Sequence, residues 1–348
     1  MRLLFAPLLA VLLLAAPLSA QVIEDVELGG GEDINVPVPP GLGPATPVEG
    51  EINPEDVPLF RDAEDRISGR VTLPDDKLGT LIQPEGRQWR AFRIQGVFWT
   101  MTAAILITVA ALAGFYFWKG TIRIESGRSG RWIRRFGTLE RFAHWLTAVS
   151  FLVLALTGLI LVFGRTLLIP MIGHWAYTPL ANVSKYLHNW SGVPFVLGLV
   201  LMLVLWVRDN LPQKSDITWF RQAGGMFSRP GTPHLETGRF NAGQKVVFWS
   251  VILFGGALAA TGYLLMMPFF FTGVSGMQIF HVIHALLAVA MVAVILVHIY
   301  IGTIGMEGAF DAMGRGEVDE NWAKEHHSGW YKAERSGRAE TAGRNPAE

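Results

Sequence analysis

Five apolar runs, each about as long as a bilayer's hydrocarbon is thick, limit what this chain can fold into. They lie near Val97–Trp118, Phe142–Phe163, Leu187–Val207, Val246–Met267 and Phe280–Ile304. About 20 helical residues rising 1.5 Å each cover roughly 30 Å. Lipid offers backbone groups no hydrogen-bond partner, so the runs must be helices or closed barrel strands. A barrel needs polar residues at alternate positions, which these runs lack. The sequence is 51% hydrophobic and only 17% charged over 348 residues. The expected fold class is therefore an all-α integral membrane protein.

The charged residues set the orientation, because basic loops stay on the cytoplasmic side. The 119–141 segment contains Lys119, Arg123, Arg128, Arg131, Arg134, Arg135 and Arg141, and the loop after the third run contains Arg208, Lys214, Arg221, Arg229, Arg239 and Lys245. The alternate loops hold only Arg165 and Lys185, or no basic residue. This places 119–141 as a cytoplasmic basic loop and 305–348 as a cytoplasmic tail. Residues 1–20, with Arg2, an apolar core and Ser19-Ala20 before Gln21, read as a signal peptide. Residues 21–96 read as an exported acidic Pro/Gly-rich segment, largely extended, because its composition buries too little apolar area to offset its ordering entropy. The expected location is the bacterial inner membrane, multi-pass. Net charge is zero, which gives no reason to expect a nucleic-acid partner.

Cysteine is absent and there are nine histidines. A Cys-ligated iron–sulfur cluster, a covalently attached haem and disulfides are thereby excluded. Four histidines lie well inside the apolar runs, and His281 sits at the edge of the last. Alternating span directions put His144 and His298 near the cytoplasmic face and His188 and His284 near the exported face. His284 and His298 are fourteen residues apart. That is about 21 Å of rise and nearly four whole turns, so both rings leave one helix face. Two stacked haems would need this arrangement, each iron held between paired imidazoles. Gly158, Gly192, Gly198, Gly255, Gly256 and Gly262 would let a flat macrocycle approach the backbone. A single intramembrane histidine serves equally well in an interhelical hydrogen bond or a water cavity; four at matched depths favour the haems. His281 competes with His284, but only His284 keeps the fourteen-residue phase. His174, His234, His326 and His327 read as solvated loop or tail residues.

Several short stretches resemble the cytochrome b (gamma) subunit of membrane-bound respiratory formate dehydrogenase. They are Arg141-Phe142-Ala143-His144-Trp145, Tyr186-Leu187-His188, Phe240-Asn241-Ala242-Gly243-Gln244-Lys245, Ile283-His284-Ala285, His298-Ile299-Tyr300 and Trp322-Ala323-Lys324-Glu325-His326-His327. The resemblance covers roughly Phe136 to Trp330. It implies a di-haem helical bundle of four core spans at 142–304, with 97–118 as one extra N-terminal transmembrane helix. The implied cofactors are two haem b: His188 and His284 on the outer haem iron, His144 and His298 on the inner. The implied partners are a molybdenum or tungsten catalytic subunit, an iron–sulfur subunit, membrane lipid and a quinone, in a trimer of heterotrimers. Formate oxidation would occur on the catalytic subunit, leaving this chain to conduct electrons.

The same resemblance implies that Asn241, Gly243 and Gln244 bind the quinone. Their amides and the glycine suit a quinone carbonyl, but Asn241 is equally a good N-cap for the helix that follows. Two other functions fit parts of the pattern. One is a cytochrome b subunit of a hydrogenase or thiosulfate-type reductase. The other is a haem-free transporter or membrane anchor, which would be colourless and tolerate histidine substitution.

Overall fold

The structure, a computed structural model, describes residues 89–225, 235–268 and 270–343, with side chains as far as 336. The signal-peptide reading of 1–20, the extended-segment reading up to residue 88, and His234 lie outside the described residues. The chain divides into two compact units. One comprises Phe92–Gly164 and His174–Glu348 and carries all the chemistry considered below. Of the other, Met1–Ala91 and Arg165–Gly173, the described residues are helical apart from Gly173, at φ 73°, ψ 166°.

The α-helices between residues 98 and 300 are α1 (Phe98–Lys119), α2 (Thr138–Phe163), α3 (Ile169–Trp206), α4 (Lys214–Arg221), α5 (Ala242–Met266) and α6 (Val274–Tyr300). Four helical stretches are long and apolar enough to cross a membrane: Trp89–Lys119, Thr138–Trp206, Ala242–Met266 and Val274–Gly305. The chain is thus a multi-pass membrane protein. The second stretch has 69 residues and contains both α2 and α3. α3 begins well before Leu187, where the apolar run starts. Thr178, Asn182, Ser184 and Lys185 lower the hydropathy of its first half without interrupting the helix, and Pro179 and Pro194 are both accommodated inside it. Large apolar side chains such as Ile107, Leu156, Val204 and Leu253 face outward, as lipid requires.

Glycines determine how the helices meet. A Cβ on Gly198 would lie 2.3 Å from Thr147 Oγ1, and Gly158 sits against the His188 ring; α2 and α3 are therefore antiparallel. Gly255 packs on Leu199 and Phe195. Gly198 and Gly255 therefore serve helix packing, correcting the expectation that they make room for a macrocycle. At Gly192 and Gly256 nothing lies within 4 Å of the place a Cβ would take. Replacing Gly198 with alanine is expected to cost about 1–3 kcal/mol through overpacking. The Gly256→Ala change should cost little, and the melting temperatures of the detergent-solubilised variants would show the contrast. α1 runs parallel to α6, with Val97 and Met101 buried beside Ala285 and Val289 and the Phe115 ring 6.1 Å from Tyr300.

The basic segment after α1 and the 305–343 stretch form a small folded platform rather than a loose loop and tail. Strands β1 (Trp132–Arg134) and β2 (Glu317–Asp319) pair antiparallel, with Arg134 opposite Glu317. Short helices α7 (Ala309–Gly314) and α8 (Glu320–His326), then α9 (Ser328–Gly343), complete it. The Asp319 carboxylate accepts from the Ser129 and Gly130 amides and caps α8 at the Asn321 amide. These bonds hold its carboxyl below the usual range despite burial. The two basic loops also meet: Arg135 Nη2 donates to the Arg239 carbonyl at 2.6 Å, and Arg239 Nη2 donates to that of Arg135 at 3.2 Å. The Arg135 guanidinium is enclosed by the rings of Phe136, Trp322 and Trp330. Burial, then the charge of Arg239, pushes its pKa down to about 9, which leaves it cationic at neutral pH.

Candidate functional site

The structure brings the four intramembrane histidines together in twos. His144 on α2 meets His298 on α6 with ring centroids 6.1 Å apart, and His188 on α3 meets His284 on α6 at 6.2 Å. Because α6 donates one ring to each pair, its helical phase sets the spacing of the two sites. Among the described residues no three His, Cys, Asp or Glu side chains converge as a metal cluster.

This geometry can be tested against an axially held haem iron. Metal–imidazole nitrogen bonds are roughly 2 Å long, and a five-membered ring's centre lies about 1 Å behind its nitrogen. Two rings facing one ion in line therefore have centroids about 6 Å apart, as both pairs do. Direct hydrogen bonding between the rings would bring them closer, since nitrogens would then sit about 3 Å apart. The residues present fit the group.

The hydrogen bonds of the outer pair point the same way. His188 Nδ1 lies 3.0 Å from the Leu154 carbonyl and 3.1 Å from Thr157 Oγ1. His284 Nδ1 lies 2.9 Å from Thr261 Oγ1, with the Leu258 carbonyl also beside it. Each threonine spends its own proton on the preceding turn, Thr157 on the Val153 carbonyl at 2.6 Å and Thr261 on the Ala257 carbonyl at 2.8 Å. A hydroxyl whose proton is committed can only accept, so Nδ1 of each histidine carries the proton and Nε2 keeps its lone pair. Gly158 and Gly262 follow the two threonines, and a Cβ at either would stand 3.4 Å from the histidine Cε1. The inner pair differs: His144 Nδ1 is buried with no hydrogen-bond partner.

Thr157 and Thr261 are not among the residues that the sequence singles out. The signal that marks them is a repeat: Leu154-Ala155-Leu156-Thr157-Gly158 on α2 and Leu258-Ala259-Ala260-Thr261-Gly262 on α5. The two sides of the His188/His284 site are built by the same five-residue pattern, each facing a histidine of the next long helix.

Asn241, Gly243 and Gln244 lie together at the start of α5. The Asn241 side chain accepts from the Gln244 amide at 2.9 Å, and Gln244 Oε1 accepts from the Asn241 amide at 3.0 Å. This capping box supplies partners for the N-terminal donors that a helix start leaves unpaired. Gly243 packs beneath Trp219, whose ring edge would stand 2.8 Å from a Cβ. A cavity of about 320 Å³ opens beside this turn, lined by Ala242, Lys245 and Trp249 among others, but by none of the three.

The remaining histidines divide. His174 is exposed, but it lies within α3 rather than in a loop. His327 is 1% exposed, which overturns its reading as a solvated tail residue. Its Nε2 lies 3.1 Å from Arg135 Nη2 and its Nδ1 3.0 Å from the Gly238 carbonyl.

Residues 135–316 match the family described as prokaryotic cytochrome b561. The chain is 32% identical over 203 residues to the formate dehydrogenase cytochrome b556(fdo) subunit of Escherichia coli K12, covering 58% of this chain and 92% of that one. It is 29% identical over 197 residues to the nitrate-inducible formate dehydrogenase cytochrome b556(Fdn) subunit of the same strain, covering 56% and 88%. A formate dehydrogenase cytochrome b556 subunit of Haemophilus influenzae is 28% identical over 217 residues, covering 61% and 87%.

Proposed function

The chain belongs to the prokaryotic cytochrome b561 family, and on that premise we propose that it is the membrane cytochrome b subunit of a formate dehydrogenase, carrying two b haems. A b haem supplies one-electron chemistry, and two in series would pass electrons from an exported formate-oxidising and iron–sulfur module to a quinone near the cytoplasmic face. The observation that carries this reading is the pair of histidine couples with ring centroids at 6.1 and 6.2 Å. A haem-free transporter would have no reason for two such couples at that spacing on one shared helix.

The protein's own residues have distinct tasks. His188 and His284 hold the outer iron and His144 and His298 the inner. Thr157 and Thr261 keep the outer rings turned with Nε2 toward each other. Asn241 and Gln244 commit only their side-chain oxygens to the capping box. Their amide NH₂ groups remain as donors to a quinone carbonyl, the role proposed for this turn together with Gly243. On this reading 97–118 is an extra N-terminal span, and 142–304 is the four-span bundle, with the chain reversing around Gly173. Segments 119–141 and 305–348 are cytoplasmic, and residues 21–96 are exported. The convergence of the two basic loops and the tail at one end of the helices supports placing all three on one side. Copurification with a catalytic subunit that oxidises formate, rather than one that oxidises hydrogen or reduces thiosulfate, would distinguish formate dehydrogenase from a hydrogenase or thiosulfate-type reductase.

The decisive measurement is a dithionite-reduced minus oxidised spectrum of the purified protein, with haem quantified as the pyridine haemochrome. Two b haems per chain are expected. A colourless protein, expressed with ample haem, would overturn the proposal and favour a transporter or anchor.

A further inference from the structure

The two histidine couples differ in what stands behind them, and the difference has a direction. Both outer imidazoles have Nδ1 against a threonine oxygen whose proton is already spent, at 3.1 Å for His188 and 2.9 Å for His284. Behind the inner couple, His144 Nδ1 is buried and meets no acceptor. A ligating imidazole that gives its second N–H to an acceptor becomes the more basic donor. A more basic donor favours the oxidised, more positive iron, so hydrogen bonding behind an axial ligand lowers a haem's reduction potential.

We propose that Thr157 and Thr261 are positioning residues that lower the potential of the outer haem relative to the inner one, so that electrons run downhill from the His188/His284 site to the His144/His298 site. The inference rests on the bis-histidine reading given above. It assigns a role that neither threonine's residue type nor its position in an apolar helix implies. A threonine bonded to the preceding turn of its own helix is ordinary. The same hydroxyl serving a histidine on the neighbouring helix, twice, within two copies of Leu-Ala-x-Thr-Gly, is not. The following glycines let the rings approach, since a Cβ at Gly158 or Gly262 would press on the histidine Cε1.

The test is a potentiometric titration of the purified, haem-loaded protein. The outer haem is first assigned by its loss in His188→Ala. The double variant Thr157→Val/Thr261→Val keeps the side-chain shape and removes both acceptors. Because the carbonyls of Leu154 and Leu258 remain, the expected shift is at the low end for an outer-shell partner, about tenfold in the reduction equilibrium. That is ~59 mV upward for one electron, confined to the outer haem. The serine variants Thr157→Ser and Thr261→Ser, which retain the hydroxyl, should keep the original potential. If the valines expel the outer haem, the single variants carry the test, each with one acceptor left and a smaller upward shift. Two haems with unchanged potentials would overturn the inference while leaving the bis-histidine reading intact. Equal shifts of both haems, or the same shift in the serine variants, would reduce the threonines to packing and overturn it too. A wild-type chain that binds no haem removes the underlying reading instead.

Discussion

If the parent protein holds two b haems as proposed, replacing His298 with alanine will leave one per chain, and replacing His144 will remove the same one. His188→Ala and His284→Ala will each remove the other. The prediction follows from the couples at 6.1 and 6.2 Å: an iron that would be held by the two imidazoles of one couple would lose half of its protein ligands with either residue. The pattern among double variants is the sharper test, because residues of one couple share a function and their effects should not add. His144→Ala/His298→Ala should retain one haem, as each single variant does. His144→Ala/His188→Ala should retain none. His281, three residues before His284, should be replaceable without loss of either. Loss of both haems from every single variant would mean that the histidines support the fold, not separate sites. Pyridine-haemochrome stoichiometry, with reduced-minus-oxidised spectra to identify which haem survives, gives the answer.

The degree to which such sites can be read from sequence depends on the range of the forces that make them. Apolar runs mark the helices because lipid imposes the same requirement on every residue of a span, so the signal accumulates over twenty positions. It marks the hydrocarbon crossing and not the helix, which is why the helix reaches back from Leu187 to His174, just after the non-helical Gly173, through residues such as Asn182, Ser184 and Lys185 that are too polar to add to the run. The fourteen-residue phase of His284 and His298 is a property of one helix and is visible in one dimension. Combined with alternating span direction, it is enough to bring the right rings together. Strands β1 and β2 leave no trace, since three residues are too few to show alternation. Thr157 and Thr261 are invisible singly, because their bonds to Val153 and Ala257 are what any threonine in a lipid-facing helix makes. His327 escapes for another reason: its partners Arg135 and Gly238 are 192 and 89 residues away. Nothing local distinguishes it from its neighbour His326.

That buried histidine is expected to make the platform acid-labile. His327 is enclosed, accepts from Arg135 at Nε2 and donates to the Gly238 carbonyl from Nδ1, and its pKa is driven well below the ordinary value by burial, then by the Arg135 charge. In the unfolded chain a histidine titrates near 6.5. Below that pH the unfolded state takes up a proton that the folded platform refuses. Stability should therefore be level above about pH 7 and decline as pH falls through 6.5, by about 1.4 kcal/mol per unit. Asp319 is depressed, and Glu320 is pushed down to about 2 by hydrogen bonds from Tyr331 and Arg335. Their contributions also fade in acid, but only below roughly pH 4.5, where carboxylates in the unfolded chain begin to protonate. Between about pH 6.5 and 4.5, above the carboxylates, comparison with His327→Gln isolates the contribution of His327. Amide exchange or limited proteolysis of the platform across this window should show protection falling in the parent and staying nearly level in His327→Gln; parallel slopes would refute the assignment. The consequence reaches the inner couple. Trp145 and Arg141, flanking His144 at the start of α2, donate to the carbonyls of Met313 and Gly314 in the platform. When the platform loosens, the first turns of α2 lose those anchors, so the inner haem should be released in acid before the outer one.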